Sequence, residues 1–135
     1  MNMSSVPFSS VPVNTLLGLV LRSHSPEGAT VAMTPTAAMS QEYGVIHGGL
    51  LSTLADTAAV YALHPYLAEG ERMTSIEFKI NFLAAALASR GEVVATSSVA
   101  KRGRTVAVVN VNVNQGEQRV ATGLFTYVIL PVARA

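Results

Sequence analysis

Apolar residues recur at helical spacing in one stretch of the chain and follow strand patterns in several others. Between residues 48 and 63, Leu50, Leu51, Leu54, Ala55, Ala58, Tyr61 and Ala62 fall three and four apart, which is helix spacing. His64-Pro65 stops that helix, because the residue before a proline is pushed out of the helical region. Residues 16–22 and 29–33 read as short strands around the turn signal Ser25-Pro26-Glu27-Gly28. After the helix, residues 73–83 alternate in part, 91–100 are β-branched, 106–113 alternate strictly, and 120–130 close the chain as a strand. Turn clusters lie at Ser89-Arg90-Gly91, Arg102-Gly103-Arg104 and Asn114-Gln115-Gly116-Glu117. Consecutive strands joined by short turns predict an antiparallel meander, and one long apolar helix beside it predicts an α+β architecture. Residues 35–46 read as irregular. Residues 1–15 are expected to be a flexible arm, and 16–135 a single domain.

Composition sharpens one point. Charged residues make up only 13% of the 135, against about a quarter in ordinary soluble domains. A small domain has much surface to cover, so scarce charge predicts burial against further copies of the chain, as a dimer or a tetramer of dimers. The absence of cysteine excludes disulfides, thiolate nucleophiles and sulfur-based zinc sites. His24, His47 and His64 have no metal-ligand spacing. A net charge of +1 gives no reason to expect a nucleic-acid partner. The first 21 residues lack Lys and Arg and no apolar run is long enough to span a bilayer, so a cytoplasmic protein without a membrane partner is expected.

The candidate chemistry sits at the start of the helix. Gly48-Gly49 opens it, and helix starts present free N–H groups and a positive dipole end, suited to a carbonyl oxygen gaining negative charge. Asp56 lies two turns in, costly amid Leu and Ala unless something uses it. Ser52 and Thr53 are the nearest hydroxyls that could satisfy it. Eight residues of helix separate Gly48 from Asp56 by about 12 Å, too far for both to reach one reacting group. Two antiparallel helices from two subunits would bring Gly48 of one opposite Asp56 of the other.

His47-Gly48-Gly49, six residues and then Asp56 resembles the signature of hotdog-fold acyl-CoA thioesterases of the phenylacetate-degradation and 4-hydroxybenzoyl-CoA types. Gly44, Ser75 in Thr74-Ser75-Ile76-Glu77, and Lys101-Arg102-Gly103-Arg104 before an alternating strand match in order. The resemblance implies a hotdog fold, with the sheet wrapped around the helix, and hydrolysis of an aryl or short- to medium-chain acyl-CoA. It implies that Asp56 attacks the thioester or activates water, and that the Gly48 N–H polarises the carbonyl. Gln41 positions the thioester or the water, Ser75 assists at the reacting end, and His47 orients the oxyanion glycine. Gly49, Lys101, Arg102 and Arg104 are the expected substrate contacts, the basic turn meeting coenzyme A phosphates. No cofactor is called for, since coenzyme A belongs to the substrate.

Two other classes fit part of this pattern. A hotdog hydratase or dehydratase would need a histidine placed elsewhere than His47, and an acyl-CoA-sensing module would have no use for Asp56. A phosphate-binding loop is excluded, because Leu50 stands where the lysine would be required.

Overall fold

The computed structural model describes residues 7–131. Strands β1 (Val20–Ser25) and β2 (Gly28–Met33) precede helix α2 (Gly48–Leu63), and β3 (Glu71–Phe82), β4 (Val93–Arg102), β5 (Val106–Gln115) and β6 (Gln118–Pro131) follow it. A short helix, α1 (Pro12–Leu16), comes before them all. All six strands join one antiparallel sheet in the order β1-β2-β4-β5-β6-β3. The expected α+β architecture is therefore present. The hairpin turns fall where Pro26-Glu27, Gly103 and Gly116-Glu117 mark them, with Gly116 at φ +60° in the tight β5–β6 turn.

Helix α2 is apolar on most of its circumference because the sheet covers most of it. Leu51, Leu54, Ala55, Ala58, Ala59, Ala62 and Leu63 are buried. Val109, Val111, Val113, Phe125 and Ile129 face it from β5 and β6. Ser97 of β4, itself buried, pins the helix by donating to the Ala58 carbonyl at 2.7 Å. Gly28 closes the β1–β2 turn against β4, where a Cβ would fall 2.0 Å from the Ser97 carbonyl oxygen, so only glycine fits.

The N-terminal segment differs from the expected loose arm over residues 8–16. Phe8–Ser10 is a 3-10 turn and α1 follows, with Asn14 buried. Its amide donates to the Phe8 carbonyl at 3.0 Å, and the Phe8 ring packs on Tyr61 with centroids 4.8 Å apart. Residues 1–6 of the expected arm lie outside the described residues. The first strand also begins later than its apolar run, at Val20, because Leu16 and Leu17 belong to α1 and its cap.

Strand β3 is an edge strand paired only with β6. Register shifts between Ser75 and Glu77, leaving Ile76 as a bulge. Without it, Ser75 and Phe78, three apart, would point to opposite faces. With it, Ser75 lies across from Tyr127 and Phe78 stacks on Phe125 at 5.1 Å, both on the helix side of the sheet.

One buried side chain ties the far loop to the helix start. The Gln115 amide donates to the Leu87 and Gly91 carbonyls at 2.7 and 2.8 Å and accepts from the Leu87 N–H at 2.9 Å. That loop in turn holds residues 44–46, through Ile46 N–H to the Ala86 carbonyl and Ala88 N–H to the Gly44 carbonyl. Gln115→Leu would strand all three backbone groups, and unfolding in urea is expected to lose about 2–4 kcal/mol. A loss below about 1 kcal/mol would mean that water replaces the amide at no cost.

Candidate active site

Helix α2 opens with a side-chain cap. His47 Nδ1 accepts the Gly49 N–H at 2.9 Å, so that nitrogen carries no proton. The His47 carbonyl accepts from Leu50 and Leu51. Among the described residues, the Gly48 N–H donates to nothing, which leaves it free at the positive end of the helix. Gly49 is spent on the cap, against the expectation of a substrate contact, and a Cβ there would sit 3.0 Å from His47 Nδ1. The Phe82 ring lies where a Cβ on Gly48 would come within 3.0 Å. Gln41, Val45, Gly48, Phe82 and Leu83 border one cavity of about 420 Å³.

Asp56 opens on a different cavity. Neither Ser52 nor Thr53 satisfies it, because both hydroxyls bond back to the carbonyls of Gly48 and Gly49, one turn earlier. Instead the Tyr127 hydroxyl donates to Asp56 Oδ1 from the sheet. Burial pushes the Tyr127 phenol well above its ordinary range, and the Asp56 carboxylate adds to this, so Tyr127 remains a donor. One carboxylate oxygen is fixed, and among the described residues no hydrogen bond reaches the other. Ser75 borders the same cavity of about 480 Å³, with Thr74, Arg72 and Glu71 beyond it.

The described residues thus hold the expected site in two halves: Gln41, His47 and Gly48 at one end of α2, Asp56 and Ser75 two turns further on. Tyr127 is the contributor that sequence reasoning missed. Its one sequence signal is parity, since it shares the inward face of β6 with Phe125 and Ile129.

The basic turn also departs from expectation at one residue. Arg102 is engaged inside the fold, bonding Glu71 at 2.6 Å, the Tyr66 carbonyl at 3.2 Å, the Arg104 carbonyl at 3.1 Å and the Gly103 carbonyl. The N–H of Ala68 and the Arg102 guanidinium together lower the Glu71 pKa. Lys101 and Arg104 are exposed, with no side-chain bond among the described residues. No group of three or more metal-ligating side chains is found among the described residues, and none of their helices is long and apolar enough to cross a membrane.

Residues 43–122, more than half of the chain, match the family model of the Thioesterase superfamily. The medium/long-chain acyl-CoA thioesterase YigI of Escherichia coli is 29% identical over 88% of this chain and 86% of its own. A solved thioesterase family protein of Silicibacter pomeroyi is 30% identical, with a TM-score of 0.84 over 92% of this chain and 93% of that one. A thioesterase of Haemophilus influenzae reaches a TM-score of 0.85 over 97% and 95% of the two chains at 18% identity, a likeness of fold alone.

His64, at the end of α2, also borders the Asp56 cavity. Burial, and then the neighbouring His24, lower its pKa from 6.5 to about 4. As pH falls, the unfolded chain takes the proton first, so this contribution to stability is full above about pH 6.5 and declines towards pH 4. The fall in Tm over that window is expected to be smaller in His64→Leu than in the parent. Equal falls would assign the acid sensitivity to other groups.

Proposed function

The chain belongs to the thioesterase superfamily and is a thioester hydrolase, and from that premise we propose an acyl-CoA thioesterase whose active site is shared by two protomers. Its antiparallel sheet and single long helix form the hotdog fold. The observation that carries the proposal is the division of the site. The free Gly48 N–H and the Asp56 carboxylate face separate cavities, about 12 Å apart along one helix.

Edge strand β3 supplies a way to join them. Its start, at Thr74 and Ser75, borders the Asp56 cavity, and its end, at Phe82, borders the Gly48 cavity. Its outer ladder is open, and Ile76, Phe78 and Phe82 are each about half exposed, at 54%, 48% and 52%. An open strand edge with half-exposed apolar side chains is a template for pairing. Antiparallel pairing of β3 with its copy, about a two-fold axis near Phe78, sets the start of one strand beside the end of the other. Gly48 of each protomer then faces Asp56 of its partner, which makes two sites per dimer.

In that site the thioester carbonyl oxygen accepts the Gly48 N–H, and Asp56 attacks the carbonyl carbon or takes a proton from the attacking water. The C–S bond breaks, and coenzyme A leaves as a thiol, its sulfur taking the proton that Asp56 removed from the attacking water or, after direct attack, a proton from solvent water. Direct attack gives an acyl anhydride that water then hydrolyses, so either route yields the free acid. Tyr127 holds the idle carboxylate oxygen. Ser75 and Gln41 are the polar groups nearest the reacting end. Lys101 and Arg104 meet the coenzyme A phosphates, while Arg102 braces their turn.

Asp56→Asn is expected to lower kcat for thiol release by at least about a hundredfold with substrate binding retained, since shape is kept and the carboxylate is lost. Turnover within twofold of the parent would remove Asp56 from the chemistry. Light scattering should give at least a dimer, and a stable, fully active monomer would overturn the shared site.

A further inference from the structure

Asp56 has a second cavity that the catalytic reading leaves unused. Asp56, Val60 and His64 succeed one another about one turn apart along α2, and this ridge borders both the 480 Å³ cavity and another of about 320 Å³. The two differ in chemistry. The larger holds Glu71, Arg72, Thr74 and Ser75 beside Leu67 and Met73, whereas the smaller is bordered by Val11, Val13 and Asn14 of the N-terminal segment and by Thr57, Val60 and Tyr61 of α2. Among the described residues, Asp56 is the only acidic or basic side chain bordering the smaller cavity apart from His64, which burial keeps uncharged at neutral pH. A thioester also has two unlike ends, a charged, highly hydrated coenzyme A and an acyl group.

The N-terminal wall is firmly built. Buried Asn14 bonds the Phe8 carbonyl, the Thr15 hydroxyl donates to the Ser9 carbonyl at 2.6 Å, and Phe8 packs on Tyr61. Val13 is not used up by this packing, since it remains 42% exposed. We propose that α1 and the residue before it form the acyl-specificity wall of the enzyme. The acyl group lies between Val11 and Val13 on one side and Val60 and Tyr61 on the other, while coenzyme A leaves through the cavity bordered by Arg72 and Ser75.

The size of the space sets the substrate class. An apolar cavity of about 150 Å³ accommodates a benzene ring. A space of about 320 Å³ therefore takes one ring with a short tail, or a chain of medium length, and the remainder of a long fatty chain would lie outside it. Val11 and Val13 are specificity-determining residues, and their effect is on acyl size.

This inference rests on the proposed hydrolysis, and the test separates the two. Thiol release is measured for a series from butyryl- to palmitoyl-CoA with phenylacetyl-CoA alongside, and Kd for the matching non-hydrolysable S-alkyl-CoA thioethers. In Val13→Phe, the ratio of octanoyl to butyryl kcat/KM is expected to fall at least tenfold, and the thioether Kd values should move in parallel. Val11→Ala, which enlarges the space, should shift the preference towards longer chains. Unchanged ratios in both folded variants, or a parent that accepts palmitoyl as readily as octanoyl, would overturn the wall. Length-dependent thioether binding that shifts in the variants, with no thiol release from any ester, would keep the wall and overturn hydrolysis.

Discussion

The hydrogen bond from Tyr127 to Asp56 is the constraint around which this domain is organised. A carboxylate in the middle of an apolar helix is costly to bury without a partner, and the helix itself offers none, since Ser52 and Thr53 bond back to their own preceding turn. The partner comes from β6, 71 residues later. That requires β6 to lie beneath the second half of α2 with Tyr127 on the inward parity, and Phe125 and Ile129 secure this by being buried on either side. Core packing and site geometry are therefore one problem here. The register that buries Phe125 is also the register that aims the phenol.

The other half of the site depends on a different buried polar group. Among the described residues Gln115 makes no hydrogen bond to the helix start, yet it fixes the loop around Leu87, which pairs with Val45 and accepts the Ile46 N–H at Ala86. Residues 41–47 are thereby held through backbone bonds, although Tyr43 and Gly44 both adopt positive φ, at 61° and 73°. A non-glycine residue in the left-handed region is uncommon and needs surrounding structure to hold it. The result is a rigid approach to His47, whose imidazole takes the second N–H of the helix and leaves the first for a ligand.

Much of this was legible in the sequence because it is local. The span of α2 follows from apolar spacing and from His64-Pro65, and the hairpins follow from their glycines. What escaped was long-range or depended on an irregularity. The bulge at Ile76 has no composition signal, yet it brings Ser75 beside Tyr127. The folding of residues 8–16 depends on Asn14 reaching Phe8 and on Phe8 reaching Tyr61, contacts that no periodicity announces in a Ser- and Pro-rich stretch. Arg102 looked like its neighbours in a solvated turn. Only the position of Glu71, 31 residues earlier, distinguishes it as a brace.

The proposed division of the site has its physical origin in the helix. A helix can present a free N–H only in its first turn, and a carboxylate placed there would face that N–H directly and occupy it. In the proposed site, Asp56 two turns further on avoids self-association of donor and acceptor, at the cost of a reacting centre that one chain would not complete. In the proposed dimer the open edge of β3 compensates for that separation, because its two ends border the two half-sites and its Ile76, Phe78 and Phe82 side chains are each only half covered within the chain. Pairing about Phe78 would set Glu77 of one copy opposite Lys79 of the other, so the charges at the middle of this strand favour the proposed register and do not blunt the edge.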